Sequence, residues 1–247
     1  PRHDVRAGGL ALARSAQYLC PGVVLAVVDP GVGSDRRGVA IEVGGGQSIL
    51  VGPDNGLLAP AVAMVGGATR AVSLTNTDYH LPAPGPTFDG RDVFAPVAAA
   101  LCAGATLDDV GDDIDVNTLV PGLLPVVRED GDDLVGEVLW VDHFGNCQLN
   151  VDPDDIDGWG DAVRVQLDAG DWRIARRATS YGEIGSGQLG LVVDSYGLVS
   201  LALDRMPADA ELGIRAGTEV RLQRVSDGEP TGGVTTSVSL GRKDGNP

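Results

Sequence analysis

Positive charge is what this sequence has least of: 18 Lys and Arg stand against 35 Asp and Glu in 247 residues, a net charge of −17. Lys243 is the single lysine. Nucleic acids and anionic membranes are held by basic patches, so this balance argues against both as partners. The preference for Asp and Arg itself reads as the imprint of a GC-rich coding sequence or a salt-adapted surface. Cysteine is also scarce. Cys20, Cys102 and Cys147 are odd in number, scattered and without metal-ligand spacing. That pattern fits reduced thiols in a cytoplasmic protein rather than a disulfide scaffold. No apolar run approaches the length of a membrane span, and no signal peptide is visible. Familiar catalytic signatures are missing too: no Gly-Lys-Ser/Thr phosphate loop, no Gly-x-Ser-x-Gly elbow, no His-x-x-x-His metal pair. His3, His80 and His143 are isolated and read as surface or hydrogen-bonding histidines. The acidic run Asp108–Asp115 lacks the Gly and Glu that a calcium loop needs, so no metal is expected there.

What is present begins with Val23–Val28, a run of buried-type residues that ends in Asp29 and then Gly31 and Gly33. A central parallel strand delivers a polar group to the carboxyl edge of a sheet in this way, and open α/β folds bind ligands at that edge. The two glycines let the backbone turn tightly and approach a ligand. Arg36 follows within one loop's reach.

Around that stretch the chain reads as two domains. Residues 3–19 are predicted helical, stopped by Cys20-Pro21-Gly22. Short strands follow at 39–43 and 48–51, then a helix over 57–65 with Asp54 or Asn55 as its cap, and a strand at 71–74. The proline-rich segment 81–86 is a loop that leads into an alanine-rich helix ending near Cys102. The expectation is an α/β domain over residues 1–125 with a central, mostly parallel sheet. From about residue 126, short β-type runs at 134–141, 147–151, 163–167, 188–193, 198–203 and 219–224 alternate with Gly and Asp turns. They predict an all-β barrel or sandwich over 126–225, with no second strong helix. Residues 226–247 have the composition of a disordered tail.

Four compact clusters join acids, amides and glycine: 29–36, 52–56, 87–92 and 142–146. None contains an activated Ser, Cys or Lys. They suggest positioning of a polar small molecule and a water rather than covalent catalysis.

These clusters carry a resemblance. Val28-Asp-Pro-Gly-Val-Gly-Ser34, Gly52-Pro-Asp-Asn-Gly-Leu-Leu58, Thr87-Phe-Asp-Gly-Arg-Asp-Val-Phe-Ala-Pro96 and Asp142-His-Phe-Gly-Asn146 follow in order and at family spacing. Together they resemble the S-adenosyl-L-methionine hydroxide adenosyltransferase family, relatives of the SAM-dependent fluorinase and chlorinase. The resemblance implies hydrolysis of SAM to adenosine and L-methionine by in-line attack of water at the ribose C5′, with SAM as substrate and no cofactor. It assigns Asp29 to orient the water or accept its proton, and Arg36 to fix Asp29. The family's third member is a histidine, and here Asp89 replaces it. Asp89 is either an acceptor for Arg36 or the water, or an N-cap for the helix that follows. Asp142, Phe144, Asn146, Ser195 and Phe88 are implied to bind substrate, Asp142 at the methionine ammonium and Asn146 at the adenine edge. A homotrimer with sites at subunit interfaces is implied as well. The family's opening Thr-Asp-Phe-Gly strand has no counterpart, which predicts a chain that starts past it. Two other functions stay open: a SAM-dependent halogenase, disfavoured by an acid at the nucleophile position, and a non-catalytic SAM- or adenosine-binding protein.

Overall fold

The computed structural model describes residues 3–122, 124–168 and 170–225. The tail expected to be disordered, 226–247, lies outside them. Two compact units meet between Leu124 and Pro125.

The first unit opens on α1, Val5–Ala16, capped by Asp4, whose carboxylate accepts from the Ala7 amide at 2.9 Å. The helix buries Ala7, Leu10 and Ala13. It is followed by β1 (Val23–Leu25), β2 (Gly38–Val43), β3 (Ser48–Pro53), α2 (Ala59–Met64) and β4 (Ala68–Ser73). Then come a π-helical turn (Gly90–Phe94), α3 (Ala95–Cys102), α4 (Leu107–Val110) and β5 (Asp112–Ile114). Alternation sends Val39, Ile41 and Val43 to the α1–α2 side of the sheet, while Ala40, Val51 and Val72 pack with Phe94, Val97 and Leu101 on the α3 side.

The sheet order is β1-β3-β2-β4-β5, and here the sequence-based expectation needs correction. The sheet is mixed rather than mostly parallel: β1 pairs with β3 in parallel, while the β3–β2, β2–β4 and β4–β5 pairs are antiparallel. The cause is the tight glycine turn at 44–46, which folds β2 back beside β3 and so places an antiparallel strand between two co-directional ones. The expected cap of α2 is corrected too. That helix begins at Ala59 with Pro60 in its first turn, and neither Asp54 nor Asn55 caps it. The acids of 108–115 are spent locally: Asp108 and Asp113 both pair with Arg70, and Asp109 closes a capping box with Thr106.

The second unit contains β6 (Arg128–Asp130), β7 (Asp133–Val141), β8 (Cys147–Leu149), β9 (Ala162–Leu167), β10 (Trp172–Ala178), β11 (Leu189–Val193), β12 (Val199–Leu203), α5 (Ala208–Leu212) and β13 (Glu219–Arg224). The order β13-β9-β10-β11-β12-β8-β7 closes through a β13–β7 pairing into a seven-stranded barrel, with β6 added beside β7. Its interior is filled by Val138, Leu149, Val165, Leu201, Val220 and Leu222. Strand β10 escaped the sequence reading because its three arginines mask the alternation; only Ala175 is fully inside.

Among the described residues no helix is long and apolar enough to cross a membrane.

Candidate active site

Strand β1 is extended past Leu25 by a hydrogen bond from the Ala26 amide to the Val51 carbonyl, 3.0 Å. The chain then leaves the sheet at its carboxyl edge, where Asp29 lies. The neighbouring parallel strand ends beside it, and Asn55, just past β3, donates to the Val28 carbonyl at 2.9 Å. The turn itself is set by Ser34, whose hydroxyl donates to the Gly31 carbonyl at 2.6 Å. Of the two glycines only Gly33 needs to be one, at φ +81°. That turn brings Arg36 back over Asp29.

Arg36 is the hub. Its Nε donates to Asp29 Oδ1 at 3.0 Å and its Nη2 to Asp29 Oδ2, a two-pronged grip that fixes the carboxylate plane. The same Nη2 donates to Asp89 Oδ2 at 2.6 Å. The guanidinium carbon stands 5.2 Å from the centre of the buried Phe94 ring. The side chains of Asp29, Arg36 and Asp89 are 6%, 12% and 22% exposed, so the trio is largely screened from water yet open on the Asp89 side. Burial alone would pull the Arg36 guanidinium down, but its hydrogen bonds to Asp29 and Asp89 outweigh this and hold it above its usual range.

Asp89 sits at the start of the π-helical turn with αR backbone and makes no capping hydrogen bond. Of its two sequence-based readings, the structure favours the acceptor from Arg36. Phe88 beside it is 60% exposed, with the Arg91 guanidinium 4.9 Å above its ring. Arg91 in turn chelates the buried Asp92 with two hydrogen bonds of 2.7 and 2.9 Å.

In the second unit the loop after β7 is an Asx turn. Asp142 Oδ1 accepts from the amides of Phe144 (2.8 Å) and Asn146 (2.9 Å), and its Oδ2 accepts from the Asn146 side chain at 2.8 Å. The Asp142 carboxylate is thus engaged within its own loop, and the Phe144 ring beside it is 75% exposed. The loop after β11 repeats the device: Asp194 accepts from the Tyr196 amide at 2.8 Å and the Ser200 hydroxyl at 3.1 Å, with Ser195 exposed between them. The rings of Trp140 and Tyr196, 6.0 Å apart, bring the two loops to one end of the barrel. Tyr181 belongs to the same end. Burial, then the charges of Asp142 and Asp194, push its phenol up. Cys147 beneath is no nucleophile, since burial pushes its thiol up to about 12.

Among the described residues no group of three or more His, Cys, Asp or Glu is placed to hold a metal. Each unit matches a family model: the SAM hydroxide adenosyltransferase N-terminal domain over residues 1–111, and the C-terminal domain of that name over 136–221. The chain belongs to the SAM hydroxide adenosyltransferase family. It is 43% identical over 222 residues to an (R)-S-adenosyl-L-methionine hydrolase of Salinispora tropica, spanning 90% of this chain and 82% of that one. A fluorinase of Actinopolyspora mzabensis is more distant, 30% identical over 76% of this chain and 64% of its own. Among solved structures, a conserved uncharacterized protein from Thermotoga maritima matches with a TM-score of 0.76 at 30% identity, covering 90% of this chain and 85% of that one.

In the SAM hydroxide adenosyltransferase frame, the motifs legible in sequence fall on two separate clusters: Asp29, Arg36, Asp89 and Phe88 on the first unit, and Asp142, Phe144, Asn146 and Ser195 on the second. Sequence reading missed His80, Trp140 and Tyr181, which no short motif marks and which only the fold brings to these clusters.

Proposed function

We propose that this chain hydrolyses the (R) sulfonium epimer of S-adenosyl-L-methionine to adenosine and L-methionine. The observation that carries the reading is the Arg36 guanidinium shared between Asp29 and Asp89 at the carboxyl edge of β1. With both carboxyl groups ionised the trio has one net negative charge, which attracts a sulfonium and repels a halide.

The reaction suits such a site. The substrate carries its own leaving group, so the protein has to hold C5′, align a water and strip its solvation. Asp29, fixed through both oxygens by Arg36, still has lone pairs for a water. The water oxygen bonds to C5′ as the C5′–S bond breaks, and the bonding pair leaves with sulfur as a neutral thioether. The water's surplus proton passes to Asp29 and then to solvent. No cofactor is called for. Asp142, Phe144, Asn146, Ser195 and Phe88 would hold the nucleoside and amino-acid ends. A homotrimer, with sites that draw on more than one subunit, and a reducing cytoplasmic setting for the three unpaired cysteines complete the reading.

The test is incubation with the separate (R) and (S) epimers in halide-free, chloride and fluoride buffers, with nucleosides resolved by chromatography. Adenosine plus methionine from the (R) epimer in every buffer, abolished by Asp29→Asn, is the expected result. A 5′-halo-5′-deoxyadenosine would instead make the protein a halogenase. Saturable binding without product would make it a binding protein.

A further inference from the structure

His80 lies near the trio, and the reaction above leaves it idle. It follows the 3₁₀ turn Thr77–Tyr79 and lines, with Asp89, Asp92 and the proline-rich loop, an open cleft of about 590 Å³. Its Nε2 is closed off from solvent, yet has no hydrogen-bond partner among the described residues. A buried polar atom left in that state is costly unless something completes it in use. The same cleft holds an incomplete carboxylate. Arg36 serves Asp89 Oδ2, and Oδ1 has no donor among the described residues.

Besides His80, the lining side chains offer one donor, the Thr77 hydroxyl. Pro82 and Pro86 line it without backbone N–H groups, and His80 is the only lining side chain with a nitrogen. Asp92 also faces the cleft, but its carboxylate is taken up by Arg91. Of the other ionisable groups close by, Asp78 and Tyr79 precede His80 on its own turn.

We propose that His80 is a positioning residue for this site: when substrate is bound, its ring N–H holds the Asp89 oxygen that Arg36 leaves free, and so aims Asp89 at the attacking water. The proposal rests on the hydrolase reading. Its physical basis is that a carboxylate held through one oxygen can still swing about its Cβ–Cγ bond, and a donor on the second oxygen fixes its plane. A neutral imidazole offers one such donor. Burial pushes the His80 ring down and keeps it neutral, while the Asp89 charge acts on it in the opposite sense.

The experiment uses the full chain and the (R) epimer. His80→Phe is expected to lower kcat about tenfold or more, since misaimed groups cost that much, with KM changed less than twofold. His80→Gln, which keeps an N–H donor, should recover most of the loss. In an Asp89→Ala background His80→Phe should do nothing further. NMR titration of the His80 ring gives an activity-free readout: Asp89→Asn should move its midpoint to lower pH. Full kcat in His80→Phe, or the same loss with Asp89 already removed, would overturn the proposal and leave His80 as cleft wall. An unmoved midpoint in Asp89→Asn overturns the coupling even if the wild-type chain releases no adenosine, an outcome that separately defeats the hydrolase reading.

Discussion

Arg36 shows how one side chain can be immobilised without being buried in apolar surroundings. Two carboxylates hold its edge, and the Phe94 ring supports its face. Phe94 is completely buried and also packs with Leu74, Val97 and Leu101. Phe94→Ala therefore removes a core ring and the floor of the site together. It should destabilise the fold by about 3–5 kcal/mol in urea unfolding and lower kcat well beyond the folded fraction lost. A loss of kcat that merely tracks the folded fraction would mean that the ring does not position Arg36. At this scale much was legible in the sequence. Asp29 and Arg36 follow from a strand, a glycine turn and an arginine one loop away. Asp89 was legible as a residue but not in its contact, because capping and ion pairing use the same side-chain type at the same kind of position. His80 was illegible, since its meaning comes from a proline loop folded over it rather than from its neighbours in sequence.

Among the elements, β1 matters most, short as it is. Three residues pair with β3, and the strand is an edge of its sheet among the described residues. Its alignment rests on close backbone approach: a Cβ added to Gly52 would lie 2.2 Å from the Ala26 carbonyl oxygen. Gly52→Ala must push β1 away or break the 26–51 pairing. The expected cost is roughly 1–3 kcal/mol of stability, with a larger proportional loss of activity because Asp29 lies three residues beyond Ala26. Wild-type activity and melting in Gly52→Ala would show that the edge adapts freely. Helix and strand positions were largely readable from periodicity, but direction was not. A hairpin and a crossover differ only in what happens between strands, and the 44–46 glycines decided it by folding β2 back. Strand β10 was missed for a different reason: Arg173 and Arg177 share the parity of the buried Ala175, so they interrupt the apolar row itself.

For the molecule as a whole, the charge imbalance is managed by local pairing. Asp92, Asp109 and Asp113 are held below the usual carboxylate range by hydrogen bonds from Arg91, Thr106 and Arg70 respectively, and Glu183 and Glu219 by those from Thr179 and Arg128. For an acid whose folded-state value is depressed, the stabilisation is present above the unfolded value and disappears as pH falls through the folded one. The unfolded references are 3.8 for Asp and 4.5 for Glu. From these acids alone, melting temperature should hold steady down to about pH 5 and fall below about pH 4. A decline that begins near pH 6 would instead point to His80, whose lowered ring value makes the folded state lose stability as pH drops below 6.5. The barrel has a consequence of another kind. Its closing seam joins residues 133–137 to 219–223, the first long strand of the unit to its last. On a ribosome the early strands must wait, with their apolar faces uncovered, until the final strand emerges. The second unit can acquire its core only at the end of its own synthesis, so a chain stalled before residue 219 would present an open, sticky sheet to the quality-control machinery of the cell.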